Sequence, residues 1–268
     1  MSSYWKIITI LLVMNLVVIP GFAALQAADA PPEYSGAYSG HLVWSGTVTM
    51  SGDVLVLEGG TLTILAGTRV NVVPAQGTKI DPEYLSSQTE LLVRGALDVQ
   101  GTPVAPVRFV IMATSENEAI AWSGITLDNA AASRIHNAQL ERADIAIRCV
   151  RSSPEIRGNR ISRCRYGIVA QQQSHPEILA NILRDGEGGI FCWRESNPYL
   201  LDNLIVDHDE EAVFIDAGSR PRLHRNTISG NAIGLALYHR DLSFDSVSLT
   251  DNVENVRWLG RQGQAGHR

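Results

Sequence analysis

Five acidic side chains crowd one stretch of the chain: Asp185, Glu187, Asp207, Asp209 and Glu210, with Glu211 and Asp216 close behind. Asp185 and Asp207 are 22 residues apart, and so are Glu187 and Asp209. If 22 residues bring the chain back over itself, these pairs stack about 5 Å apart. Four to six oxygens at one point make a candidate Ca2+ site, drawn from Asp185, Glu187, Asp207, Asp209 and Glu210. Two carboxylates about 5 Å apart also suit retaining glycoside hydrolysis, so Asp185, Glu187, Asp207 and Asp209 double as catalytic candidates. A third reading competes. Arg163 and Arg165 hold the same two positions one repeat earlier, and the set then reads as a ladder of surface ion pairs worth little energy. His208, between the acids, reads as an exposed loop histidine, because one imidazole is weak evidence for a metal.

A second group is aromatic. Phe191, Trp193, Phe214 and Tyr238 fall on alternate positions of successive repeats, beside Arg148, Val169 and Gln171. Contiguous exposed rings make a binding surface, and flat rings suit the apolar faces of sugars. The same rings could instead be covered by the polar tail or by a second copy of the chain.

Both groups depend on a repeat. Pro154, Pro176, Pro198 and Pro221 are spaced by 22, 22 and 23 residues, and Asn159, Asn181, Asn203 and Asn226 follow each proline by five. Helical repeats are longer than this, so the period fits a coil of short strands. Apolar residues recur in step: Ile125, Ile147, Ile168, Ile190, Val213 and Leu235, with Leu127, Cys149, Ala170, Cys192, Ile215 and Leu237 two positions on. Ile135, Ile156, Ile178, Leu200 and Leu223 form a third column, and Leu140, Ile161, Leu183, Ile205 and Ile228 a fourth. Alternation by two places these columns inside a solenoid whose coils lie about 4.8 Å apart. The asparagine column has two expected roles, a left-handed bend and a ladder of stacked amides. The fold expected is all-β, a single-stranded right-handed parallel β-helix of roughly ten coils over residues 28–259.

Composition bounds the rest. Acids outnumber Lys and Arg by 28 to 22, which argues against a general nucleic-acid binder. Charge is banded: residues 134–165 hold eight Arg against three acids, and residues 184–216 hold nine acids against two Arg. Such bands could steer a charged polymer or neutralise each other between coils. Cys149 and Cys192 share an inward column with Ala170 between, about 9–10 Å apart, so no disulfide is expected. Residues 1–27 read as a secretory signal peptide, with Lys6, an apolar run over 7–19 and small residues at 23–28. That leader implies a periplasmic or extracellular protein with no transmembrane helix after its removal. Residues 74–89 read as a protruding loop, and 260–268 as a disordered tail.

The coil Pro154-Glu155-Ile156-Arg157-Gly158-Asn159-Arg160-Ile161 with Tyr166-Gly167-Ile168, and the segments Gly60–Thr68, Gly95–Thr102 and Trp122–Leu127, resemble the secreted right-handed parallel β-helix repeat proteins of pectate-lyase-like fold. The resemblance covers nearly the whole chain after the leader and implies the fold. It does not fix an activity, since that superfamily includes pectate lyases, polygalacturonases, alginate epimerases, periplasmic copper-site accessory proteins and non-catalytic binders. The hydrolase pattern of paired Asp with Gly-His-Gly and Arg-x-Lys is missing here, as is the epimerase Asp-Pro-His. The three cysteines make a poor copper or zinc set, so the copper-accessory relatives stand as an analogy of fold. The expected function is a non-catalytic binding or scaffold module for a polysaccharide or cell-surface partner. A polysaccharide lyase or hydrolase, with Ca2+ as possible cofactor, and an envelope-assembly subunit associating through the aromatic wall are the alternatives.

Overall fold

A computed structural model describes residues 30–75, 88–112, 120–244 and 247–260. The expected leader, most of the expected loop over 74–89 and the tail from 261 lie outside them. The region from residue 31 onward is one unit, a right-handed parallel β-helix of about nine turns spaced ~22 residues apart. Every strand pair is parallel, and no helix occurs among the described residues.

Each regular coil contributes three strands. The first face is an eight-stranded ladder that includes Ala96–Gln100, Arg134–His136, Glu155–Arg157, Glu177–Leu179, Tyr199–Leu201 and Arg222–His224. The second face includes Ala138–Glu141, Arg160–Ser162, Ile182–Arg184, Leu204–Val206 and Thr227–Ser229. The third face runs through Glu90–Val93, Gly124–Asp128, Ile145–Val150, Tyr166–Gln171, Gly188–Trp193, Glu211–Ile215, Ile233–Leu237 and Glu254–Trp258.

The expected inward columns are the core. Ile125, Ile147, Ile168, Ile190, Val213 and Leu235 are wholly buried and paired in register from coil to coil. The three other columns are buried with them. Each fully buried Ile, Leu or Val contributes about 1.5–3 kcal/mol, which repetition turns into a continuous core. Burial of one side chain per coil position therefore sets the register.

The asparagines form the expected ladder, but for a different backbone reason. The left-handed residue at this bend is the one before each asparagine: Gly158, Ala180, Asp202 and Arg225, at φ of 65°, 52°, 58° and 50°. Asn159, Asn181 and Asn203 each donate their backbone N–H to the amide oxygen of the next asparagine, at 2.9–3.0 Å. Their side-chain amides also donate to that oxygen at 2.8–3.0 Å, and to the carbonyls of Ile135, Ile156 and Ile178. The ladder satisfies the polar groups of a buried bend, and the residue ahead of it absorbs the strain.

Two further ladders were not read from the sequence. Ser152, Ser174 and Ser196 donate N–H to the hydroxyls of Ser174, Ser196 and Ser219. Their signal is a Ser-x-Pro in each coil, ahead of the recurring prolines. Asn231 and Asn252 begin another ladder at the turn between the second and third faces.

Candidate functional site

On the third face, strand alternation sends Val169, Phe191, Phe214 and Ala236 outward in one paired row. Phe191 and Phe214 stack with centroids 5.6 Å apart, Trp193 lies 4.9 Å from Phe214, and Phe191 and Trp193 are 6.4 Å apart. Tyr166 meets Phe191 edge-on at 4.7 Å, with the Arg165 guanidinium 5.0 Å from the Tyr166 ring. Gly188 makes room for this cluster. A Cβ there would lie 2.4 Å from Cε2 of Phe191, so the ring folds down onto bare backbone.

The structure thus brings together Phe191, Trp193 and Phe214 of the four aromatic residues expected to cluster. Tyr238 stands further along the same face, and Tyr166 completes the ring cluster instead. Phe191 is 6% exposed beneath its neighbours, whereas Trp193 and Tyr238 are 41% and 40% exposed. Phe191 therefore lies beneath its neighbours, and Trp193 and Tyr238 are the exposed rings of this face. Stacked and edge-on pairs add about 0.5–1.5 kcal/mol each beyond burial, which stiffens the surface before anything binds.

The acidic candidates do not converge. Arg142, Arg163, Asp185, Asp207 and Asp251 all have positive φ, between 53° and 58°, at one turn of successive coils, with Gly230 at 73° between the last two. Asp185 and Asp207 sit at a bend that asparagine, aspartate and glycine tolerate best. Asp185 pairs with Arg184 at 2.6 Å, and Glu187 with Arg165 at 3.3 Å. Arg165 also holds Asp144 at 3.1 Å, and Arg163 holds Glu141. Asp209 borders an open groove of about 690 Å3 that Arg163, Cys164, Arg165, Asp185 and Glu187 also line. Among the described residues, no three His, Cys, Asp or Glu side chains come together as a metal ion would require. The geometry is that of the ion-pair ladder, and the expected Ca2+ site from Asp185, Glu187, Asp207, Asp209 and Glu210 is not assembled.

His208 is not the exposed loop residue that the sequence suggests. It is 4% exposed and points inward, in the turn column that holds Ala143, Cys164, Gly186, Asn231 and Asn252. Its backbone N–H donates to Oδ1 of Asn231 at 3.0 Å. Both ring nitrogens are buried, and neither completes a hydrogen bond. Burial holds the imidazole pKa below its usual value, against the backbone of Gly186 and Leu183 and the carboxylates of Asp185 and Asp207, which favour the charged form. Cys149, Cys164 and Cys192 are free and buried; the inward column placed Cys149 and Cys192 in the core, and Cys164 is buried at its turn as well.

A polar cluster that sequence reasoning missed lies upstream on the third face. Glu90, 4% exposed, accepts from the Thr126 hydroxyl at 2.6 Å. Asp128 is held by Arg94 at 3.3 Å and by Arg151. Leu92 pairs with Thr126 although they are 34 residues apart, so the 22-residue spacing that reveals the later columns fails here.

A family model described as "Periplasmic copper-binding protein (NosD)" matches residues 106–258. No curated protein and no solved structure matches the chain.

Proposed function

The chain belongs to the NosD family of periplasmic β-helix proteins, and we propose that within it this chain is a non-catalytic binding scaffold that holds a polysaccharide on the aromatic part of its third face. The family, which the sequence suggested only as an analogy of fold, supports the expected export to the periplasm or beyond. The observation that carries the binding reading is the contrast among the rings of one face. Phe191 is locked beneath its neighbours, while Trp193 and Tyr238 offer 41% and 40% of their surface to solvent. Rings fixed in advance lose little freedom on binding, and their apolar faces and polar tips suit sugar rings.

The acidic residues support this reading over catalysis. Asp185 and Glu187 are engaged by arginines, and the groove beside them is lined by charges that largely offset one another. Exposed pairs of this kind contribute about 0–1 kcal/mol each and need no catalytic explanation.

The test is affinity electrophoresis of the mature protein through gels containing pectin, alginate, a neutral glucan or no polymer. Retardation by one polymer, lost in Trp193→Ala and unchanged in Asp185→Asn, is expected. Shortening of the retained polymer, abolished by Asp185→Asn, would replace the scaffold reading with an enzyme. Unaltered mobility in every gel would remove the polysaccharide and leave a protein partner of the envelope as the occupant of the face.

A further inference from the structure

The family's description names copper, and among the described residues no three His, Cys, Asp or Glu side chains gather to hold it. A protein copper site gathers thiolate, thioether or imidazole groups on one point, with thiols deprotonated. Cys149 and Cys192 lie wholly inside the core in one register column, separated by Ala170 and by two strand spacings of about 4.8 Å. Burial pushes both thiols up, and pushes Cys164 up to about 12. Met50 is buried in the opposite half of the core, and Met112 stands at the end of a strand.

The pair that deserves the closest test is Cys164 and His208, which share the inward turn column on either side of Gly186. Side chains in this column reach back toward the preceding coil. Asn252 donates to the carbonyl of Ile228 and Asn231 to that of Ile205, each in the coil before it. The Cys164 thiol donates to Ser162 at 3.4 Å and faces the backbone of Arg142 and Ala143 in the coil before it. The His208 ring packs against Gly186, where a Cβ would lie 2.2 Å from the Cys164 carbonyl oxygen and 3.4 Å from Nδ1 of His208. The thiol therefore turns away from the coil that the imidazole faces. Cys164 and His208 do not close on a common point.

We infer that Cys164 and His208 are rungs of the turn ladder that Asn231 and Asn252 begin, and that the described residues of the chain hold no copper ion of their own. His208 occupies an asparagine's place in that column. Membership of the family then rests on the β-helix and its surface, not on a resident metal.

The mature chain, reduced and kept free of oxygen, is titrated with Cu(I) against the chromophoric chelator bicinchoninate, then with Cu(II), and its metal content is measured after gel filtration. The chelator is expected to keep its copper, and the filtered protein to carry no stoichiometric metal. Copper retained in stoichiometric amount overturns the inference, whichever residues hold it. Melting curves test the rung separately. His208→Asn is expected to melt at or above the parent temperature and His208→Ala clearly below it. Equal losses in the two variants would refute the ladder role.

Discussion

The upstream and downstream parts of the third face share one backbone and one set of inward residues, yet present opposite chemistry. Around Glu90, Thr126 and Asp128 the outward row is a network of carboxylates, a hydroxyl and arginines. Around Phe191, Trp193 and Phe214 it is stacked rings. Behind both parts, Ile125, Ile147, Ile168, Ile190 and Val213 are wholly buried and in register. Core packing and surface chemistry are thus written on alternate residues of the same strands. The outward row is free to vary as long as the inward one does not. The two parts also differ in what lies beneath their turns. Under the rings, asparagine and serine ladders run from Asn159 to Asn226 and from Ser152 to Ser219. Upstream, the equivalent bend at Thr68 is closed by its hydroxyl, which lies 2.7 Å from the Leu65 carbonyl and 3.3 Å from that of Trp44.

Breaking the ladder gives the largest effect. Asn181→Ala removes the side-chain donations to Ile156 and Asn203 and leaves the N–H of Asn159 buried without its acceptor. Unpaired buried groups cost about 1–3 kcal/mol each, so a loss of about 3–5 kcal/mol is expected in urea unfolding. Hydrogen exchange should show Tyr166–Gln171 and Gly188–Trp193 opening before Gly124–Asp128. Equal opening along the whole face would mean that the ladder supports both parts alike. Asp128→Ala probes the other part and costs less. Arg94 and Arg151 lose their shared carboxylate, but their side chains are 30% and 50% exposed and regain water. About 1 kcal/mol is expected, with polymer retardation unchanged. A loss of retardation in this variant would extend the binding surface upstream, across the boundary between the two parts.

How much of this was legible follows from the same contrast. The inward columns could be read because burial demands Ile, Leu or Val at each ~22-residue step. The asparagine ladder could be read, but its bend could not. Gly158, Ala180, Asp202 and Arg225 share a left-handed backbone and no chemistry, because the cost of about 1–2 kcal/mol at a non-glycine residue is offset by the ladder beside it. His208 was misread because its column is occupied by Ala, Cys, Gly, His and Asn in turn. Asn231 and Asn252 at the same register were the available sign that this position points inward. The Glu90 and Asp128 cluster was missed because longer excursions upstream interrupt the spacing, while the regular spacing placed Phe191, Trp193 and Phe214 directly. Tyr166 was missed because it lies beyond the outward positions followed by alternation, before the small-residue column.

The smallest effect sharpens the comparison through pH. His208 lies in the ladder-supported part, buried and with a lowered pKa, its charged form opposed chiefly by burial. Unfolded, a histidine takes up its proton near pH 6.5; folded, His208 takes it up only at lower pH. Between those two values the unfolded chain binds more protons, so stability falls as pH falls through that window and is fully present above it. The charges of Asp185 and Asp207 favour the charged ring and keep the effect modest. Urea midpoints at pH 7.5 and 5.5 should therefore differ in the parent protein, with exchange rising first in the coils around residues 183–231. His208→Asn should reduce that difference while leaving the upstream coils untouched. A pH dependence that survives the substitution would place the acid-sensitive group elsewhere, and the turn ladder would then contribute equally at both pH values.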